Sequence, residues 1–515
     1  MIRYIDPLTD IGASLLDIEK PARYTGGEYG IYSKNGILKT SVVFPDLYEL
    51  GMSNQALRII YNGLNRMEDV SCDRAFAPAP DFERLLLEKD LPLYGLDTGI
   101  ALGDTDLLLF TLGYELGFTG LLSVLDCSRI ALRAAERGNG DPIVIMGGPC
   151  VSNPLPYSLF IDAFWIGEAE AGFFDLVEEL LALKKQSAAR SVLLEKIILH
   201  PHIWAPGKTG VNRAIYHKFG CIEHPVIGGK KQEPSVFPVS SIRTVQHHGA
   251  VEIMRGCPNG CRFCHAGIWY RPMRQKNAGF VMEEVDAFVK LGGYREISLS
   301  SLSTGDYCHI NSLVSALNKQ YGGQHISFQL PSLRVFGFSL PLLAKVSEVR
   351  KSGLTFAVET PTEANQLAIN KHVTIDEVIT IINEAKKIGW RRIKFYFMVG
   401  LPINQTDEEV HIVNFLLEAQ KATNSRFHIN LGTFVPKPHT PYQWASQLNI
   451  ESAWQKIHYI QDKLKPRGHK VSINNPFMSL LEGIFSRGTE PSGLLAETAY
   501  KHGCRLDAWS DFFKL

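Results

Sequence analysis

The sequence has no run of about 18 or more apolar residues, so no stretch of it reads as a membrane span. It has no net charge either, with 53 Lys plus Arg against 53 Asp plus Glu. Bulk electrostatics therefore makes no case for a nucleic-acid partner, and only a local basic groove would supply one. Met1 to Asp10 lack the apolar core behind a basic head that a signal peptide carries. A disulfide framework is missing as well. Nine cysteines is an odd count, and Cys72, Cys127, Cys150, Cys221, Cys308 and Cys504 are scattered singly. A lone cysteine is usually a small buried hydrophobe. The expectation is a protein of the reducing cytoplasm, with no membrane partner.

What is present is 515 residues, 45% hydrophobic and 21% charged, which is too much chain for one ordinary core. The first half alternates strand and helix. Strands are expected over 40–44, 106–112, 142–146 and 163–166, and helices over 55–66, 81–89, 119–135 and 173–185. The strand at 106–112 is a near-continuous apolar run, as in a parallel sheet covered on both faces. This pattern predicts a doubly wound α/β domain, with ligands past the carboxyl ends of the strands. The loops starting at Asp46, Gly113, Gly147 and Gly167 lie there. Gly- and Pro-rich loops over 207–238 mark a connection, and His247-His248 in a strand would point to opposite faces, which speaks against one metal between them.

The remaining cysteines form the densest chemical signal in the chain. Cys257-Pro258-Asn259-Gly260-Cys261-Arg262-Phe263-Cys264 has the spacing C-x3-C-x2-C. A short loop with that spacing points three thiolates at one centre, and soft thiolates select iron–sulfur clusters or zinc. Three ligands leave one metal position open to chemistry. A zinc knuckle would need His265 as fourth ligand, and adjacent residues seldom bind one zinc. After this loop, strand and helix alternate about six times, which predicts a full or partial parallel barrel. The strand at 296–299 runs into the hydroxyl-rich Ser300-Ser301-Leu302-Ser303-Thr304, suited to a polar ligand. The strand at 326–330 leads to Arg334, a carboxylate or phosphate clamp and possible substrate contact. Glu359 ends the strand at 354–358, and Gly400 follows the one at 392–398.

At the cysteine loop the sequence resembles the radical S-adenosylmethionine (SAM) superfamily, with Phe263 in the family's aromatic slot. The resemblance implies a [4Fe–4S] cluster on Cys257, Cys261 and Cys264, with SAM chelated by the fourth iron. It further implies SAM contacts at Phe263, Ser300, Ser301, Glu359 and Gly400, and an external one-electron donor such as flavodoxin or ferredoxin. The first domain resembles the cobalamin-binding module. Asp46-x-Tyr48-x-x-Gly51, Ser123-x-Leu125 and Gly147-Gly148 follow that family's ordered motifs, with Tyr48 where it has a histidine. Tyrosine cannot serve as the cobalt ligand, so either cobalamin binds without a lower protein ligand or the fold persists without the cofactor. Phe44 to Asn54, Arg262 to Gly267, Tyr396 to Pro402 and Phe434 to Pro441 are similar to radical SAM proteins with a cobalamin-binding-like N-terminal domain. One departure lies over 359–367, where that group has an arginine-bearing, Gly-containing segment.

The expected layout is a cobalamin-binding-like α/β domain at 1–215, a linker at 216–249, a radical SAM partial (β/α)6 barrel at 250–445, and a helical extension at 446–515 across the open side of the barrel. The implied activity is reductive cleavage of SAM to a 5′-deoxyadenosyl radical acting on an unidentified substrate. With cobalamin, methylation of an unactivated carbon is the natural reaction. Methylthiotransfer is disfavoured, because Cys72, Cys127 and Cys150 are not clustered. The competing class is a non-catalytic iron–sulfur or zinc module bound to RNA or ribosomes, against which the zero net charge speaks.

Overall fold

The computed structural model describes residues 2–32, 34–220, 226–227, 230–231, 236, 238–331, 354–387, 389–403 and 406–512. The chain divides into two compact units, one of residues 1–247 with 488–515 and one of residues 248–487. The division falls between His247 and His248.

The first unit is built on a six-stranded sheet: β1 (Leu38–Phe44), β2 (Val70–Phe76), β3 (Leu107–Thr111), β4 (Ile143–Gly147), β5 (Ala163–Trp165) and β6 (Ile203–Trp204). Their order is β2-β1-β3-β4-β5-β6. The first five are parallel and β6 is antiparallel on β5. The apolar runs of β3 and β4 are buried on both faces, which is why they lack alternation. The order reverses between β1 and β3, and ligands in such sheets lie past the strand ends at that point. Asn54 caps the helix Gln55–Asn65 by accepting the Leu57 N–H, as expected for that residue type before an apolar helical run.

Two strands were not legible in the sequence. β2 reads Val-Ser-Cys-Asp-Arg-Ala-Phe and is buried along its whole length despite Asp73 and Arg74. The Arg74 guanidinium lies 2.9 Å from Glu28 Oε2 and also pairs with Asp97. Ion pairing replaces the hydration that would otherwise keep this strand at the surface. β6 has only two residues and no pattern of its own. The helix expected over 119–135 also stops early, spanning Phe118–Cys127.

The second unit begins with β9 (Gly249–Glu252) and β10 (Met254–Arg255), after a short hairpin of β7 (Val226–Ile227) and β8 (Lys230–Lys231) in the first. It continues with β11 (Arg274–Gln275), β12 (Glu296–Ser300), β13 (Ser327–Gln329), β14 (Leu354–Glu359), β15 (Ile393–Val399), β16 (Phe427–Thr433) and β17 (Lys470–Ile473). Among the described residues the parallel strands form two sheets, β13-β12-β9 and β14-β15-β16-β17. The helices Ile375–Lys387, Glu408–Thr423 and Ile450–Leu464 pack their apolar faces on the second sheet through Ile382, Leu416 and Ile457, all fully buried.

Residues 446–515 are mostly helical, as expected, and divide between the two units. Helix Ile450–Leu464, β17 and helix Pro476–Arg487 belong to the second unit, while helices Glu490–Lys501 and Trp509–Phe512 belong to the first. There Trp509 is buried and its Nε1 donates to the Leu116 carbonyl, and Arg505 Nε lies 2.8 Å from Glu83. These contacts lay the tail along helix Phe118–Cys127, so the apolar faces of its helices are covered by the α/β domain.

Candidate active site: the cysteine loop

The cysteine loop leaves the sheet where β9 ends and returns through a two-residue antiparallel neck. Met254 faces Gln275 and Arg255 faces Arg274 across it. Gly256 opens the loop at φ +81°, a conformation favourable only for glycine. A Cβ there would stand 2.6 Å from the Tyr270 carbonyl and 2.8 Å from the Pro272 carbonyl. The neck therefore fixes both ends of a segment that carries all three thiols and the short helix His265–Trp269.

Cys257, Cys261 and Cys264 are each partly exposed, and none is in a disulfide. Cys264 is the N-cap of the short helix, its Sγ accepting the Gly267 N–H at 3.3 Å. Burial pushes the Cys264 thiol up, the Gly267 N–H pulls it down, and the neighbouring Cys261 and Cys257 push it up again. Lys371 draws it down. The three thiols thus share one electrostatic field. Among the described residues no three His, Cys, Asp or Glu side chains close around a single metal ion. His265 lies against Trp269, ring centroids 5.9 Å apart. The donor set of three soft thiols, with N–H groups directed at sulfur, fits an iron–sulfur cluster.

The loop is braced by the segment that follows β14. Arg262 N donates to the Ile369 carbonyl at 3.0 Å, and Asn370 Nδ2 to the Gly260 carbonyl at 3.0 Å. Phe263 packs with Ile369, Met398, Leu401, Phe434 and Tyr442 in one apolar cluster. Lys371 Nζ sits 5.8 Å above the Phe263 ring and 2.6 Å from Glu359 Oε1. Glu359 is buried, with φ +69°, an uncommon conformation for a non-glycine residue and one that concentrates at functional sites. Residues 369–371, just past the departure over 359–367, thus brace the cysteine loop, and Lys371 ties back to Glu359 at the start of that stretch.

The other expected ligand contacts fall in different places. Ser300 ends β12, where its carbonyl accepts the Ile253 N–H. Ser301 Oγ lies 2.9 Å from Thr304 Oγ1, which itself donates to the Pro331 carbonyl, so Ser301 is the donor of this pair. Gly400 has the positive φ expected of it, but a Cβ there would meet the Leu448 side chain at 2.6 Å, and its N–H goes to Glu408. Arg334 lies outside the described residues. Sequence reasoning missed Asn259, Asp306 and Lys371. Asn259 carried a signal, being the one side chain inside the loop able to donate an amide N–H to sulfur.

In the first unit the cobalamin-like motifs separate into two groups. Asp46 lies at the β1 end, its carboxyl raised by burial, and accepts its neighbour Leu47 N–H at 2.7 Å. Tyr48 is buried, with its hydroxyl 2.8 Å from Glu28 and 3.1 Å from Ser240. Gly51 lies under the Phe76 ring, where a Cβ would stand 2.3 Å from it. Ser123 and Leu125 are not on a loop after a strand. They are buried within helix Phe118–Cys127, and Ser123 Oγ turns to Glu83 at 3.3 Å. Gly147 has nothing within 4 Å of where a Cβ would stand, and Gly148 at φ +100° approaches the Leu112 carbonyl. The residues present do not fit a cobalamin held through Tyr48.

Residues 251–416 match the model of the radical SAM superfamily, and residues 56–206 that of the N-terminal region of radical SAM proteins. The chain is 26% identical over 455 residues to uncharacterized protein MJ0966 of Methanocaldococcus jannaschii, covering 88% of this chain and 89% of that one. It is 24% identical over 231 residues to the ribosomal RNA large subunit methyltransferase Cfr of Staphylococcus aureus, covering 43% of this chain and 63% of that protein. In fold it is similar to the radical SAM methyltransferase TsrM of Kitasatospora setae, solved with cobalamin and a [4Fe–4S] cluster. The TM-score is 0.55 at 12% identity, over 90% of this chain and 99% of that one. Family models match both halves of the chain, which belongs to the radical SAM superfamily.

Proposed function

We propose that this radical SAM enzyme carries a [4Fe–4S] cluster on Cys257, Cys261 and Cys264, cleaves SAM reductively and transfers a methyl group. The observation that carries the reading is the cinched loop: three thiols between the ends of one antiparallel neck, with Gly267 N–H on Cys264 Sγ. When bound, such a cluster supplies the electron that splits SAM into methionine and a 5′-deoxyadenosyl radical. The chain's own part is to hold, orient and shield. Gly256 and the neck fix the loop, and Phe263 anchors it on the apolar cluster below. Buried Glu359, charge-balanced by Lys371, offers a carboxylate edge at the strand end where SAM's polar groups are expected. The electron comes from an external one-electron donor of the flavodoxin or ferredoxin type.

Methyl transfer is favoured by the relatives. Cfr acts on ribosomal RNA by its name, and TsrM has been solved with tryptophan as substrate. Their substrates differ, so the shared chemistry is what supports the proposal. Cobalamin, which TsrM binds, supplies a methyl carrier when present. In this chain it would lie along Asp46, Gly113 and Gly147, with no ligand from Tyr48.

The test is anaerobic reconstitution with iron and sulfide, then dithionite and SAM, with 5′-deoxyadenosine and S-adenosylhomocysteine quantified by mass spectrometry, with and without cobalamin. Either nucleoside from the wild type and none from the Cys257→Ala, Cys261→Ala, Cys264→Ala triple variant supports SAM-dependent catalysis at the loop. A cobalamin-dependent rise in S-adenosylhomocysteine supports methyl transfer. A loaded cluster that fails to bind SAM would overturn the proposal and leave a non-catalytic module on RNA or ribosomes.

A further inference from the structure

This inference rests on the reading of the three cysteines as cluster ligands and concerns what else in the chain governs that cluster. Asn259 lies inside the loop, between the first two cysteines. Its Nδ2 is 2.8 Å from Asp306 Oδ2, 3.3 Å from Ser303 Oγ and 3.5 Å from Cys257 Sγ. The amide orientation follows from chemistry. A carboxylate only accepts, so the NH2 end of Asn259 must face Asp306, and an amide nitrogen has two hydrogens to give. One goes to Asp306, and the other is shared between the Ser303 hydroxyl and the Cys257 sulfur.

Asp306 is itself held rigidly. Ser303 Oγ donates to its Oδ2 at 2.7 Å, and its backbone closes a short turn on the Ser303 carbonyl. Ser303 and Thr304 are almost fully buried, and buried Tyr307 ties the next residue to the Lys276 carbonyl at 2.8 Å. The loop after β12 therefore acts as an anchor that reaches across to the cysteine loop. Its Asp306 and Ser303 side chains meet each other and Asn259.

We propose that Asn259, anchored by Asp306 and Ser303, is a positioning residue that delivers an N–H to the Cys257 sulfur and thereby sets the cluster's reduction potential. Reduction adds negative charge to the cluster and its thiolates. A donor aimed at sulfur stabilises the reduced form more than the oxidised form and raises the potential. The electron that cleaves SAM comes through this cluster, so the potential bears directly on turnover. The Gly267 N–H on Cys264 acts in the same sense but belongs to the backbone. Asn259 is the donor that substitution can remove.

The experiment is a potentiometric titration of the reconstituted full chain, followed by the electron paramagnetic resonance signal of the reduced cluster. Wild type and Asn259→Ala are compared, with iron and sulfide content measured for each. At the wild-type midpoint, the ratio of reduced to oxidised cluster in Asn259→Ala is expected to fall about tenfold, the size of one hydrogen bond to a charged group, at unchanged iron content. An unchanged potential in a fully loaded variant would overturn this inference and leave the proposed function standing. Failure of the wild type to take up iron and sulfide would instead overturn the reading of the loop, and this inference with it. Should Asn259→Ala not load, Ser303→Ala is measured in its place, since it leaves the loop residues intact and loosens Asp306. A fall in the same direction supports the anchor, and no change refutes it.

Discussion

Lys371 Nζ lies 2.6 Å from Glu359 Oε1, with the two side chains only 12% and 11% exposed. This pair joins the strained end of β14 to the underside of the cysteine loop, because the same ammonium sits over the Phe263 ring. Removing one partner of a buried pair leaves a charge without compensation, which costs about 3–5 kcal/mol. Lys371→Met is expected to destabilise the protein by about 3 kcal/mol in urea unfolding followed by circular dichroism. Adding Glu359→Gln to that variant is expected to recover more than half of the loss. Equal and additive losses from the two single variants would show that the pair is not coupled.

The sequence made the loop legible because cysteine spacing is a local signal. It made β3 and β4 legible because a short apolar run between turn residues fits a strand buried on both faces, and β1 because Thr40 to Phe44 is rich in β-branched residues. It could not reveal Lys371 as the partner of Glu359, or Asp306 as the partner of Asn259. The second contact spans 47 residues, and no local pattern encodes it. Ser123-x-Leu125 lies within the stretch expected as helix, and what the sequence could not reveal is that Ser123 turns to Glu83. Tyr48 was legible as a departure. Its role was not, because Glu28 and Ser240, which occupy its hydroxyl, come from distant segments.

Arg74 explains why β2 was missed, and it supplies a second prediction. Its guanidinium is fully buried between Glu28 and Asp97 and donates to both. Burial alone would raise the Glu28 carboxyl, but Arg74 overrides it and holds that carboxyl below its ordinary value. Arg74→Met leaves two buried carboxylates facing one another. The expected loss is about 3–5 kcal/mol, read as a lower urea midpoint. Arg74→Met with Asp97→Asn is expected to be more stable than Arg74→Met alone. If the added substitution lowers stability further, the carboxylates were not the source of the loss.

His469 gives the pH dependence. Its buried Nδ1 accepts the Phe427 N–H at 3.1 Å, at the start of β16, so the ring must be neutral to make this bond. Burial lowers its pKa below the ordinary 6.5, and Arg467 and Arg426 lower it further. The unfolded chain therefore binds a proton near pH 6.5 that the folded chain refuses until lower pH. In that window the unfolded state holds more protons, so stability falls as pH drops below about 6.5 and is fully present above it. The wild type is expected to lose stability from this group between pH 7.5 and pH 5.5 in urea titrations. His469→Gln, whose side-chain oxygen can still accept the Phe427 N–H, is expected to lose correspondingly less over the same range. Parallel pH profiles for the two proteins would assign the acid sensitivity to other groups and refute the role given to His469.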